Sequence, residues 1–282
     1  MNTACIYAKH IWEGIEDYSH YTGEDAAIGC GPYKLVGYDV DSQTSYYEAV
    51  PENAFLGEIT VDKVTVQTYA DQASLMMALA SGECDAYYNY ANPIEATLID
   101  SFTGMDGLDM GESPFAGSYQ MLFGCSRTPG DDVNFRQAIA YAINRSELIS
   151  SAYQNMATVA YTPIPSGTWL SNESAIRDIY DPLMAASLLD SAGYKLADDG
   201  NRYKDGKKME KLRILVYDEP GSTARTNAAN KIVDQLAAVG IPAYVATWSR
   251  ADVQTKLVSG DYSLALCGLN FDVSPDPGFT LT

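Results

Sequence analysis

The sequence predicts an α/β fold. Three observations carry this: strand-helix-strand-helix-strand patterning from Leu212 to Leu266, a 3.6-residue apolar period after Asp131, and alternating strand-like runs joined by polar turns before Tyr69. In chain order, Ile11-Trp12 to Asp25 has no clean period and reads as a short helix and loop. Gly29-Cys30-Gly31-Pro32 then permits a sharp turn. Tyr33–Tyr38 and Ser45–Val50 flank a polar turn at Asp39 to Thr44, which predicts an antiparallel hairpin, and Lys63–Tyr69 adds a strand with alternating valines. Asp71 is the expected N-cap of a helix carrying Leu75, Met76 and Leu79 and stopping at Gly82. Cys84–Tyr88 reads as a short strand, which would complete a β-α-β unit of a parallel sheet.

A helix is expected near Ile94 to Phe102, then a glycine-rich passage from Gly104 to Gly117 that approaches a domain crossing, then a strand at Tyr119–Phe123. Phe135, Ile139, Ala142 and Ile143 share one helix face, and Ser146 is expected to cap a second helix carrying Leu148, Ile149 and Ala152. Two prolines make Tyr161–Trp169 a stiff loop. Asp181-Pro182 is an N-cap with proline at the first helical position, followed by Leu183, Ala186, Leu188, Leu189 and Ala192 up to Gly193. Lys204-Asp205-Gly206-Lys207 is a hairpin turn. Strands at Leu212–Tyr217, Ile241–Thr247 and Tyr262–Leu266 alternate with helices at Thr223–Val239 and Ala251–Val258. Right-handed crossovers make this a small parallel sheet, whose strand carboxyl ends are where ligands gather.

Composition narrows the function. The 282 residues are 46% hydrophobic, enough for real cores. Eighteen basic against 37 acidic residues give a net charge of −19, which repels nucleic acid and anionic membrane. No apolar run of about 18 residues is present, and the first ten residues lack the pattern of a signal peptide, so any export signal is expected outside this chain. The five cysteines have no Cys-x-x-Cys spacing; small buried thiols are expected, and neither a zinc site nor a disulfide framework is indicated. The two histidines form no metal or catalytic motif, and neither Gly-x-Ser-x-Gly nor Gly-x-Gly-x-x-Gly occurs. We expect no enzyme, no metal and no cofactor; an Asp272/Asp276 pair serving a glycosidase and metal binding through histidine are the minor alternatives.

Three of the five candidate ligand contacts lie around one turn. The last strand runs into Leu269-Asn270-Phe271-Asp272, followed by Pro275 and Pro277, which presents a fixed carboxylate at the mouth of a cleft. Asp272 is the leading candidate, with Asn270 and Phe271 beside it; an Asx turn is its bland alternative and suits Asp276 better. Tyr119 is a second candidate, whereas Met121 and Phe123 on the same strand suit a core. Trp169 on its stiff loop is a third. Arg136 and Arg145 are expected to be structural.

Several local sequences resemble one known family. Gly29-Cys30-Gly31-Pro32-Tyr33 resembles its Gly-Thr-Gly-Pro-Tyr segment, and Ser81-Gly82-Glu83-Cys84-Asp85 its Ala-Gly-Glu-Val-Asp. Asn134-Phe135-Arg136-Gln137-Ala138-Ile139 through Asn144-Arg145 is similar to its Val-Arg-Gln-Ala helix, and Tyr180-Asp181-Pro182 to Gly193-Tyr194 to its Tyr-Asp-Pro…Ala-Gly-Tyr helix. Gly268 to Pro277 resembles its Gly-Trp-x-x-Asp…Asp-Pro stretch. This is the family 5 extracellular solute-binding proteins of ABC importers, the oligopeptide, dipeptide and nickel class. Cys30 replaces the usual Thr, Gly124 or Cys125 stands where Asn is common, and Leu269 replaces the Trp.

The resemblance implies a periplasmic-binding-protein-like type II fold of two lobes, the first incomplete because flanking parts of the family are missing. It divides the chain into residues 1–113, 114–267 and a return crossing at 268–282. It further implies capture of a peptide or similar small solute between lobes, with Asp272 pairing a ligand ammonium, and delivery to ABC permease subunits. The protein would be an extracytoplasmic monomer, meeting membrane only through the permease or a missing lipid anchor. A ligand-sensing receptor domain of the same fold is the alternative.

Overall fold

The computed structural model describes residues 7–18, 20–53, 57–87, 94, 96–103, 105–111, 117–162, 164, 180–219 and 222–270. The chain divides into two compact units, Met1–Tyr87 and Tyr88–Thr282.

The first unit holds helix α1 (Lys9–Trp12), strands β1 (Tyr33–Asp39), β2 (Thr44–Ala49) and β3 (Lys63–Gln67), and helix α2 (Gln72–Ser81). The strands form one antiparallel sheet in the order β1-β2-β3. The expected hairpin turn is pinned by Asp39, whose Oδ1 accepts from the amides of Asp41 at 2.9 Å and Ser42 at 3.1 Å. Asp71 caps α2 by accepting from the Ser74 amide at 2.7 Å, and Gly82 ends it in the left-handed conformation with φ 74°. The strand expected at Cys84–Tyr88 is not found over residues 84–87. Glu83 and Cys84 instead donate their amides back to the Ala78 carbonyl, so these groups close the helix end and are not free for a ladder.

The second unit begins with helix α3 (Ala96–Ile99), shorter than the expected 94–102; the Thr103 hydroxyl and amide both take the Ile99 carbonyl, and turns follow. Strand β4 (Gly117–Phe123) precedes helices α4 (Val133–Ala142), α5 (Arg145–Ala152) and α6 (Pro182–Ser191). Asp181 caps α6, as the sequence suggests, and Asp132, for which no cap was expected, caps α4. The cap of α5 is Asn144 and not Ser146: its Oδ1 accepts from the Glu147 amide at 3.1 Å, which starts the helix two residues earlier. In α6 the buried stripe is Ala185 and Leu189, four apart, while Leu183 is 84% exposed. Short strands β5 (Lys195–Leu196), β6 (Arg202–Lys204) and β7 (Lys207–Lys208) form a small antiparallel sheet whose β6–β7 turn places Asp205 and Gly206 at positive φ.

Strand β8 (Leu212–Tyr217), helix α7 (Ala224–Ala238), strand β9 (Ala243–Trp248), helix α8 (Arg250–Ser259) and strand β10 (Leu264–Asn270) complete the unit. The sheet order is β4-β10-β8-β9, with β8 parallel to both β9 and β10 and β4 antiparallel to β10. Strand β10 extends four residues past the expected Leu266, because β4 supplies antiparallel partners as far as Gly117, opposite Asn270. Alternation along β8 sends Leu212, Ile214 and Val216 into the main core with Phe135, Ile139, Leu189, Ile232 and Leu236 from α4, α6 and α7; Leu215 faces the other way, with Ala265, Cys267 and Leu257 of α8. Each fully buried Leu, Ile or Phe here contributes about 1.5–3 kcal/mol. Cys267 is buried as expected, but Cys30 and Cys125 are exposed and Cys84 is half-buried; loop placement, not strand packing, governs these three. Cys5 lies outside the described residues.

Candidate functional site

At the carboxyl ends of β8 and β10 the chain places Tyr217, the last residue of β8, and Gly268, which lies opposite Tyr119 of β4. Arg225 reaches the same place from the first turn of α7. It is in phase with the buried Ala228, Ala229, Ile232 and Leu236, so the apolar stripe that docks the helix also draws the guanidinium inward until Arg225 is 2% exposed. A cation at a helix N-terminus opposes the helix dipole, and burial adds a desolvation cost. Two features offset these. Arg225 Nη2 donates to Glu219 Oε1 at 2.7 Å, and the guanidinium carbon stands over two rings, 3.5 Å from the centroid of Tyr217 and 5.0 Å from that of Tyr119.

Tyr153, at the end of α5, closes the group, its ring centroid 5.3 Å from that of Tyr119. Gly268 makes the convergence possible. A Cβ there would meet Arg225 Nη2 at 3.1 Å, Tyr119 Cε1 at 3.2 Å and the Tyr217 hydroxyl at 3.2 Å.

Four atoms of this cluster are buried and make no hydrogen bond: Arg225 Nε and Nη1, Glu219 Oε2 and the Tyr153 hydroxyl. Among the described residues, every such buried side-chain atom belongs to this one cluster. Buried polar groups are nearly always paired, and leaving one unpaired costs about 1–3 kcal/mol, so the concentration of four such atoms sets this cluster apart from the other described residues. Burial, first of all, raises the Tyr119, Tyr153 and Tyr217 hydroxyls above the ordinary phenol range; the Glu219 carboxylate adds to this and Arg225 opposes it. All three are therefore neutral phenols near pH 7.

Two other polar groupings of this unit are satisfied internally among the described residues. Asp261 binds Arg213 and Lys256 at 3.0 Å each and Arg127 at 3.3 Å, beside a hollow of about 290 Å³ at the opposite end of the sheet. Glu147 is held by Lys231 at 2.6 Å and Gln235 at 2.8 Å. No group of His, Cys, Asp and Glu suited to a metal ion occurs among the described residues, and no described helix is long and apolar enough to cross a membrane.

Of the residues singled out from sequence, Tyr119 is in the cluster and 42% exposed. Asn270 ends β10 opposite Gly117; its side chain, like Trp169, Phe271, Asp272 and Asp276, lies outside the described residues. Met121 and Phe123 pack against the core, as expected. Arg136 is structural, donating to the Gly130 carbonyl at 2.7 Å. Sequence reasoning missed Tyr153, Tyr217, Glu219 and Arg225. One signal was there to be read: Arg225 is a charge in phase with the apolar stripe of α7.

The chain matches the model of bacterial extracellular solute-binding proteins, family 5 Middle, over residues 4–282. It is 24% identical over 251 residues to heme-binding protein A of Haemophilus influenzae, a match covering 89% of this chain and 43% of that protein. To the dipeptide-binding protein of Escherichia coli it is 24% identical over 259 residues, covering 90% and 45%. The chain thus spans a little under half the length of these relatives. Among solved structures, it is similar to a putative peptide binding protein AppA from Clostridium difficile, with TM-score 0.79, 21% identity and coverage of 97% of this chain and 54% of that one. NikZ from Campylobacter jejuni, in complex with Ni(L-His), gives TM-score 0.74 at 23% identity, with coverage of 97% and 52%. These likenesses bear on the fold, which is the expected α/β, type II periplasmic-binding-protein class.

Proposed function

Because the chain belongs to the family 5 bacterial extracellular solute-binding proteins, we propose that it is the substrate-binding component of an ABC importer, capturing a peptide or similar small solute outside the cytoplasm and delivering it to a membrane permease. The observation that carries this reading is the gathering of unpaired buried polar atoms on Tyr153, Glu219 and Arg225 at the strand carboxyl ends. A solute with hydrogen-bonding atoms would satisfy them, and the rings of Tyr119 and Tyr217 would wall it. The names of several relatives support the solute class: dipeptide-binding, di/tripeptide-binding and glutathione-binding proteins.

In this reading Asp272 pairs with an ammonium of the solute, and Asn270, Phe271 and Trp169 add contacts. No residue is assigned a catalytic role; the family is a solute-binding class. The protein works as a monomer on the outer side of the membrane, its partners being the solute and the permease subunits. Calorimetric titration with defined di- and tripeptides tests the reading. A saturable 1:1 heat is expected for at least one, weakened by about 2–4 kcal/mol in Asp272→Ala. Peptide hydrolysis during incubation, or no binding of any peptide, would overturn it.

A further inference from the structure

The pairing of Arg225 with Glu219 limits the kind of group the cluster can take. Their side chains are 3% and 18% exposed and the two charges cancel. Arg250 is a further cation near the Tyr217 ring, at 5.8 Å, but it is solvent-exposed on α8 and so screened. Cys267, also beside Arg225, has its thiol pushed up by burial and is uncharged. A ligand carboxylate placed here would be a second anion sharing one guanidinium with Glu219, in a region shielded from water, and it would be disfavoured by both repulsion and desolvation. A ligand ammonium would meet the guanidinium with the same sign.

An uncharged group that both accepts and donates avoids both costs. Its carbonyl oxygen can take the unpaired Nε–H or Nη1–H of Arg225, its N–H can go to Glu219 Oε2, and the Tyr153 hydroxyl can serve in either sense. The faces of the guanidinium lie against Tyr217 and Tyr119, which leaves its in-plane N–H groups as the directional contacts. We propose that Tyr153, Glu219 and Arg225 form a subsite for an uncharged carboxamide of the bound solute, and that Glu219 sets this preference by neutralising Arg225. This rests on the solute-binding reading above and narrows it.

Competitive native mass spectrometry of the 282-residue chain tests the proposal, using isosteric peptide pairs that differ only in a carboxamide or a carboxylate: Ala-Gln against Ala-Glu, Ala-Asn against Ala-Asp, and their tripeptide extensions. The carboxamide members are expected to bind at least about tenfold more tightly than their acid partners. Glu219→Gln should abolish or reverse that preference. Tyr153→Phe should weaken both members of a pair without changing their ratio.

Peptide binding with no carboxamide preference, or a preference unchanged in folded Glu219→Gln, overturns the subsite and leaves the solute-binding reading standing. Failure of every peptide to bind overturns both. The wild-type comparison needs no variant, so it decides the matter even if Glu219→Gln does not fold.

Discussion

Arg225 stands over Tyr217, its guanidinium carbon 3.5 Å from the ring centroid. With Glu219 at 2.7 Å from Nη2, this is a buried cation held by one carboxylate and two π faces. Such an arrangement is tolerated where its parts act together and is costly when one is removed.

Arg225→Ala should lower stability by about 3–5 kcal/mol, because Glu219 is left with no counter-charge in a largely buried place. Urea unfolding of the chain checks the value. Removing Glu219 as well should cost less than the sum of the two single changes, since the pair is a coupled unit.

Gly268→Ala should be destabilising by about 1–3 kcal/mol through overpacking. The new methyl would press on Arg225, Tyr119 and Tyr217 at 3.1–3.2 Å. Near-ultraviolet circular dichroism should register the displaced tyrosines as well as thermal melting registers the loss.

Arg202 is a control for burial without ligand binding. It is 1% exposed, and it donates to the carbonyls of Val239 and Tyr194 at 2.7 Å each and to Asp190 at 2.8 Å, tying β6 to α6 and the end of α7. Arg202→Ala should cost about 3 kcal/mol or more by stranding two buried carbonyls, measured by the same unfolding assay. The preference of the folded fraction between carboxamide and carboxylate peptides should be unaltered.

Asp261 predicts a pH dependence. Its hydrogen bonds from Lys256 and Arg213 hold it at about 2, against an ordinary value of 3.8. A folded-state value below the unfolded one contributes stability that is fully present above the unfolded value and is lost as pH falls through the folded one. The stability difference between wild type and Asp261→Asn should therefore be constant from pH 7 to about 5, shrink between about pH 4 and 2, and vanish below that. Unfolding curves across that range check it.

Much of the fold was legible because local signals agreed with the packing. Asp71 and Asp181 cap their helices, and the period of Ala228, Ile232 and Leu236 matches the buried face of α7. The misreadings arose where two local choices were close. Asn144 and Ser146 both suit a cap, and only the Glu147 amide decides between them. Cys84-Asp85-Ala86 has strand composition, but its first amide is taken by the helix before it.

The site was less legible because Tyr153, Tyr217, Glu219 and Arg225 come from three separate stretches and carry no spacing motif. Arg136, on the most recognisable helix, drew attention to an arginine whose partner is the Gly130 carbonyl. Arg225 differs only in falling on the inward stripe, a distinction that burial makes plain and residue type does not.

The central claim is that a solute completes the hydrogen bonding of Arg225, whose Nε finds no partner among the described residues. The most direct measurement is the ¹⁵N–¹H resonance of that Nε–H, assigned by its loss in Arg225→Lys, during titration with di- and tripeptides. The account predicts a saturable shift that follows the binding isotherm. A peptide that binds 1:1 while leaving this resonance unmoved would contradict it.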